Sequence, residues 1–441
     1  MPSNTRKRRT GCEQCKRRKV RCDEKQPRCS RCDSRGETCT GNFSWDSWQI
    51  ERPWLWAEGS HAPSQLLEND VLRHWYDSAS LNMAIFHPPI NPLSYQISAW
   101  LRHSKALRHT FESVAEAHRH YFVRDRLSQA ICIRGLAISS LQGEVCRLQY
   151  PCPTTKAPTI LRTAILSSLV LSISSGWLDS TGKDAGLEFL RGAQGLIATL
   201  AESRPEDPFA FYLFGLFIYS CAFCSFLAPV DNQISIPQTV VDLMHSEPFA
   251  SCIHPVTGIS STICPLIVEA GNYYRRAVEQ RASSPDLHRD LERRLCEWTP
   301  PANAPKQAQL AELANGYRAA GLLILYQSKA IDNPLTDSEQ FFVMVILMRV
   351  METIKHLPRN DPLQNWLGPL IIIAGSELPA SFADERLHVE RVAAQLAEWT
   401  RVPSYLQGME LVRTVWELRD SGQMISWLEL MVRKEMSLAM G

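Results

Sequence analysis

The 441-residue sequence contains no Gly-rich phosphate loop, no Gly-x-Ser-x-Gly elbow, no His-Glu-x-x-His pair and no dinucleotide fingerprint. These absences remove the motif basis for the common nucleotide-dependent and hydrolytic classes, and the expectation is a protein that is not an enzyme. Alternating apolar–polar runs are scarce, which argues against a sheet-based fold. The N-terminal "MPSNTRKRRTGC" has no apolar stretch behind its charges, so it does not read as a secretory signal. The expected compartment is then a reducing one, where clustered cysteines bind metal more often than they form disulfides. Net charge is nearly absent too, at +1. That balance hides an asymmetry: residues 1–40 hold 13 Lys and Arg against 5 Asp and Glu, leaving 34 against 41 for the remainder. A basic head on a mildly acidic body points to a polyanionic partner at one end only.

Charge is also missing from residues 209–228, "FAFYLFGLFIYSCAFCSFLA", about the length of a membrane span. The flanking Glu206, Asp207 and Asp231 bring no Lys or Arg cluster. The segment therefore reads as a buried core helix, apolar all round, at the centre of a large helical domain, with no membrane partner. Its Cys221 and Cys224 read as buried thiols rather than a redox pair or metal site.

Cysteine is plentiful: 14 residues, six of them at Cys12, Cys15, Cys22, Cys29, Cys32 and Cys39. They form two copies of one frame, Cys-x2-Cys-x6-Cys. The first copy carries five Lys and Arg and one acid between its cysteines; the second carries two Arg and two acids. One tetrahedral zinc takes four ligands. Six thiolates suffice for two Zn²⁺ if two of them bridge, and Cys12 and Cys29, equivalent in the two halves, are the expected bridges. Cys15 and Cys22 would complete one ion, Cys32 and Cys39 the other. The competing arrangement is a single zinc on the two Cys-x-x-Cys pairs, with Cys22 and Cys39 idle. With little apolar material between residues 12 and 39, metal must supply most of the folding free energy.

This frame, with a basic run after its second cysteine and Pro27 two before the fourth, resembles the fungal binuclear zinc cluster transcription factors. The resemblance implies two short helices around one metal core, the first entering the major groove to read a CGG triplet in double-stranded DNA. By motif position the base-reading residues are Arg18 and Lys19, whose donors suit guanine O6 and N7. Lys16, Arg17 and Arg21 are expected on phosphates, which set register and affinity without reading sequence.

The expected organisation is a basic arm over 1–11, the cluster over 12–39, a Trp-rich linker over 40–63 and an all-α domain over 64–441. The run "RKRR" at 6–9 reads either as a nuclear import signal or as a solvated charge run. Linker residues Trp45, Trp48, Trp54 and Trp56 are expected to dock on a neighbouring domain. Beyond them, "SQLLENDVLRHWYDSA" opens with a capping-type Ser64 and puts Leu67, Val71 and Trp75 on one helix face. "LEFLRGAQGLIATL" aligns Leu190, Ala193, Ile197 and Leu200, and "SYLQGMELVRTVWELRD" aligns Tyr405, Met409, Val412 and Trp416. "PEDP" at 205 and "TPPANAP" at 299 read as helix connections. His103, His109, His118 and His120 lack metal-ligand spacing and read as surface or hydrogen-bonded histidines.

"LRHWYDSASLNMAIF", "LEFLRGAQGLIATL", "PLIIIAGSELPASFADERLHVERV" and "LVRTVWELRD" resemble segments of the fungal-specific regulatory domain that often follows this cluster. The resemblance implies a nuclear regulator of RNA polymerase II transcription. Transcription machinery and a small-molecule effector are further partners expected of such a regulator. Many relatives pair two chains through a coiled coil after the cluster; residues 40–63 show no heptads, so a homodimer would have to form by other means. A second reading makes the helical body an effector sensor or an enzyme and the zinc module a nonspecific DNA anchor.

Overall fold

A computed structural model describes residues 12–23, 29–37, 69–87, 91–121, 123, 127–149, 157–179, 182–203, 205, 207–247, 249–300, 308–358 and 361–438. The chain divides into two compact units, Met1–Arg52 and Pro53–Gly441. The expectations for the basic arm, Cys39 and the linker tryptophans fall outside the described residues.

In the first unit, helices α1 (Glu13–Arg17) and α2 (Ser30–Asp33) are each about one turn long. Helices this short do not persist alone in water. The buried side chains available to hold them are sulfur: Cys12, Cys15, Cys29 and Cys32 form the core, and Cys22 packs against it.

The second unit is helical throughout its described residues, with no named strand and one isolated bridge between His254 and Gly258. Its principal helices begin with α3 (Asp70–Asp77), α4 (Lys105–Arg119), α5 (Leu127–Gln149) and α6 (Ala157–Ile173). Next come α7 (Leu187–Glu202), α8 (Pro208–Cys224), α9 (Cys264–Gln280) and α10 (Pro285–Glu297). The C-terminal part holds α11 (Ala308–Asp332), α12 (Asp337–His356), α13 (Gly368–Gly375), α14 (Ala383–Thr400), α15 (Ser404–Asp420) and α16 (Trp427–Arg433).

Ser64 and Leu67 lie outside the described residues, which resume at Asn69. Asn69 is the cap of α3, its side-chain oxygen accepting from the Val71 and Leu72 amides, because that geometry satisfies two free N–H groups at once. The buried face is accordingly Leu72, Trp75 and Tyr76, with Val71 half-buried. The α7 pattern is buried as expected, and in α15 Met409, Val412 and Trp416 are buried while Tyr405 is half-buried.

Helix α8 is the charge-free segment, and it is the axis of the domain. Asp207 caps it through the Ala210 amide at 2.9 Å, and Pro208 opens it where a missing N–H costs nothing. It packs on α6, α7 and α9, and nearly all of its apolar stretch is buried within the domain. Each large side chain it buries contributes roughly 1.5–3 kcal/mol. Burial pushes the Cys224 thiol up to about 12 and Cys221 well above its usual range, so both remain neutral packing groups.

One close approach on α8 fixes the loop that follows α8 in space. A Cβ at Gly215 would lie 2.2 Å from the His254 ring. With glycine there, the imidazole lies against the helix, and its Nε2 faces the Phe211 carbonyl at 3.1 Å. Nδ1 accepts from the Val256 and Thr257 amides at 3.0 and 3.2 Å. Both ring nitrogens are therefore assigned: Nδ1 is the acceptor and Nε2–H the donor. His254 and Gly258 exchange backbone hydrogen bonds at 2.9 Å, closing the turn.

Candidate metal centre and nucleic-acid interface

The two halves of the small unit repeat at an offset of 17 residues, and the backbone repeats with them. Val20 N–H donates to the Cys15 carbonyl at 3.0 Å, and Glu37 N–H to the Cys32 carbonyl at 3.1 Å. Each such bond closes a helix end whose preceding residue is left-handed: Lys19 at φ 57° and Gly36 at φ 63°. Gly36 adopts this conformation without steric cost, whereas for Lys19 the left-handed region costs roughly 1–2 kcal/mol.

The sulfurs converge. Cys12 Sγ lies 3.8 Å from Cys29 Sγ and 3.7 Å from Cys32 Sγ, and Cys15 Sγ lies 3.7 Å from Cys29 Sγ. These are far beyond a disulfide bond of about 2.05 Å, so no disulfide joins these sulfurs. Four sulfurs each about 2.3 Å from a tetrahedral zinc stand roughly 3.8 Å apart. The observed spacings match that edge, and the donor set is all thiol and buried. Cys12, Cys15, Cys29 and Cys32 thus fit a zinc centre. Cys22, half-buried, stands with Asp23 within 4.8 Å of the Cys29 sulfur, so it reaches the same core from the first half. When bound, zinc supplies the cross-links that a unit of this size cannot obtain from apolar burial.

Burial works to raise all three affected thiols, with different outcomes. It pushes Cys15 up to about 12, with Cys12, Cys29 and Cys22 acting in the same direction. In Cys12 and Cys29 it is outweighed by hydrogen bonding at Cys15 and at Cys32 respectively, and both are lowered. The amide of Cys15 reaches Cys12 Sγ at 3.4 Å.

Arg17, Lys19 and Arg21 are exposed along and just beyond α1, and Lys16 sits on α1 itself. Arg18 turns inward. Its Nη1 pairs with Glu37 Oε2 at 3.0 Å, Nη2 donates to Cys32 Sγ at 3.4 Å, and Nε donates to the Gln14 carbonyl at 3.2 Å. Arg18 thus ties the basic half to the other across the sulfur core. Asp23 is a second tie, accepting the Ser30 amide at the start of α2 at 3.1 Å. Sequence reasoning missed both contacts. The only local signals were an acid directly after Cys22 and one of the two acids between Cys32 and Cys39.

In the helical unit, His118 is buried and paired with His74 at 2.8 Å, His109 with Glu112, and His120 with Glu116, while His103 is exposed. None gathers with other ligands into a metal site among the described residues.

A cysteine-cored module bearing an exposed basic helix end, on a chain with a large all-helical domain, defines a zinc-cluster DNA-binding transcription factor. Comparison with known families agrees: residues 10–44 match the fungal Zn(2)-Cys(6) binuclear cluster domain. Residues 70–441 match the fungal specific transcription factor domain, and the chain belongs to that family. No curated protein and no solved structure matches the chain.

Proposed function

We propose that the six cysteines hold two Zn²⁺ ions, with Cys12 and Cys29 bridging, Cys15 and Cys22 completing one ion and Cys32 and Cys39 the other. Two ions against six thiolates leave a charge of −2, which the Arg18 guanidinium beside Cys32 offsets. On this core Lys19, with Arg18, reads CGG-type triplets in the major groove of double-stranded DNA, while Lys16, Arg17 and Arg21 hold phosphates. The protein regulates RNA polymerase II transcription in the nucleus, as a regulator and not a catalyst.

The observation that carries this reading is the contrast between Lys19 and Gly36. At equivalent positions of one repeated frame, the supporting half uses the residue that fits a left-handed backbone. The basic half keeps a lysine there at a steric cost and presents it to solvent. For Arg18 to reach a base it must exchange Glu37 and the Gln14 carbonyl for guanine, a cost Lys19 does not carry.

Selection from random duplexes tests this, followed by titration of wild type and Lys19→Gly against a CGG duplex and a scrambled one. Glycine removes the left-handed cost and adds backbone entropy to the unfolded chain, so zinc content and module stability stay near wild type. Discrimination falls by about 1–3 kcal/mol, roughly 5- to 150-fold. If Lys19→Gly discriminates as well as wild type, Lys19 is not the reader. If no triplet is selected, the module is a nonspecific anchor.

A further inference from the structure

Helix α12 carries a run of five apolar residues near its start, Phe341 to Val345, and none of them is fully buried. Phe341 is 73% exposed and Val345 50%. Full burial begins only at Ile346, and Leu347, Val350, Met351 and Ile354 continue it on the side that packs against α11 and α13. Within the early run, Phe342 has a neighbour in the Tyr326 ring of α11, with 5.4 Å between centroids. Phe341, Met344, Val345 and Met348 share the opposite face, spaced three and four residues apart. An apolar ridge of this kind adds nothing to the domain core, and such ridges mark contact surfaces.

The ridge stands on a helix that is already formed. Thr336 accepts the Glu339 amide at 3.4 Å, the Glu339 carboxylate accepts the Thr336 amide at 2.9 Å, and Lys329 of α11 pairs with that carboxylate. Docking on it therefore carries little ordering cost. Charge on the same face is split between its ends, with Asp337 in the first turn and Lys355 and His356 in the last. The Asp337 and His356 side chains have no partner among the described residues. Lys355 lies 3.1 Å from Glu385 of α14, and Glu352 is paired with Arg349 at 2.9 Å. An identical helix running antiparallel sets the acidic end of each against the cationic end of the other and brings the apolar middles together. A parallel one sets like charges side by side.

We propose that the exposed face of α12 is a dimerisation surface whose occupant is α12 of a second copy of this chain, antiparallel about a two-fold axis between Val345 and Met348. In that register Asp337 meets Lys355 and His356 of the second copy, Val345 meets Met348, and Phe341 seats in the turn between Met348 and Glu352. The helix is about 30 Å long, and one such pair buries less than the standard interface of about 1,600 Å². The dimer is therefore weak and reversible, with a Kd on the order of 10 µM. It pairs two chains without heptads in residues 40–63, and it is independent of whether Lys19 reads DNA.

Sedimentation equilibrium of the full-length, zinc-loaded chain, from tenfold below that Kd to tenfold above it, tests this in the absence of DNA. A reversible monomer–dimer equilibrium is expected. Phe341→Glu places a charge in the ridge at an exposed position and weakens the dimer at least tenfold, with far-UV ellipticity unchanged. Asp337→Lys weakens it by repulsion, and His356→Asp added to that variant recovers most of the lost affinity. A chain that stays monomeric across the range overturns the proposal, as does a dimer that Phe341→Glu leaves intact. Failure of His356→Asp to recover the affinity lost in Asp337→Lys overturns the antiparallel register and the proposal with it.

Discussion

The helical domain loses stability as pH falls below neutrality, and His254 sets the slope. Its ordinary imidazole value of 6.5 is driven down to about 3 by burial, against backbone hydrogen bonding at Phe211 and Tyr212. Protonation must occur at Nδ1, the atom already accepting from the Val256 and Thr257 amides, so it would break two hydrogen bonds and bury a charge. The unfolded chain binds this proton near 6.5 and the folded chain does not. Stability is therefore complete above about pH 7.5 and falls as pH drops through 6.5 toward 3. At pH 5, one and a half units below 6.5, the loss from His254 is about 2 kcal/mol. His118, lowered to about 3, and its partner His74, lowered to about 4, both chiefly by burial, act with the same sign, so the whole loss exceeds that from His254 alone. Glu339, held at about 2 by Lys329, titrates below this window and does not obscure it. Urea titrations at pH 7.5, 6.5, 5.5 and 5.0, followed by far-UV ellipticity, measure the slope. The matched variant is His254→Asn. Its side-chain oxygen can accept the same amides two and three residues on, as Asx turns do, but it cannot titrate. This variant is less stable at pH 7.5 and loses the His254 share of the slope, about 2 kcal/mol between pH 7.5 and 5. A flat wild-type profile between pH 7.5 and 5, or a full slope in His254→Asn, refutes the assignment.

Replacing Gly215 with Ala would set a Cβ 2.2 Å from the His254 ring; overpacking and the lost ring hydrogen bonds cost about 3–5 kcal/mol, read as a lower urea midpoint. A change under about 1 kcal/mol would mean the loop moves freely. Replacing Cys12 or Cys29 with Ser releases both zinc ions per chain, whereas Cys39→Ser releases less, by metal analysis after gel filtration; equal loss in all three contradicts the bridging assignment. Arg17→Ala weakens binding to all duplexes alike and reduces the slope of log K against log salt by about 1. An altered base preference in that variant would instead move Arg17 among the readers.

The parts legible in the sequence are those carried by local pattern. The duplicated cysteine frame marks the four sulfurs that converge, because short spacings fix which thiols one helical turn can bring together. The charge-free run at 209–228 marks the domain axis, because a helix apolar on every face has to be surrounded. What escaped depends on partners far away in the chain. Arg18 looks like any member of a basic run until Glu37, 19 residues on, takes its guanidinium. His254 stands in an ordinary loop until Gly215, 39 residues earlier, makes room for its ring. The left-handed Lys19 could have been found: aligning the two halves at their 17-residue offset sets it opposite Gly36, and glycine at a helix end is the usual sign of that conformation.

The position of α8 at the centre of its domain has a consequence for how the protein is made. Helix α8 ends at residue 224, and α11, whose partner α9 packs directly on α8, ends at residue 332, so roughly 110 residues must still be added after α8 is complete. At about 5–20 residues per second, that leaves some 5–20 seconds in which a span-length apolar helix is outside the ribosome without its later neighbours. During that interval its native cover begins with segments already synthesised: α6, α7, Trp100 against Phe209, and the Met83 carbonyl that takes the Tyr212 hydroxyl. Retention of this chain in the soluble pool is thus decided by a race between α6–α7–α8 docking and capture by chaperones or membrane insertion machinery.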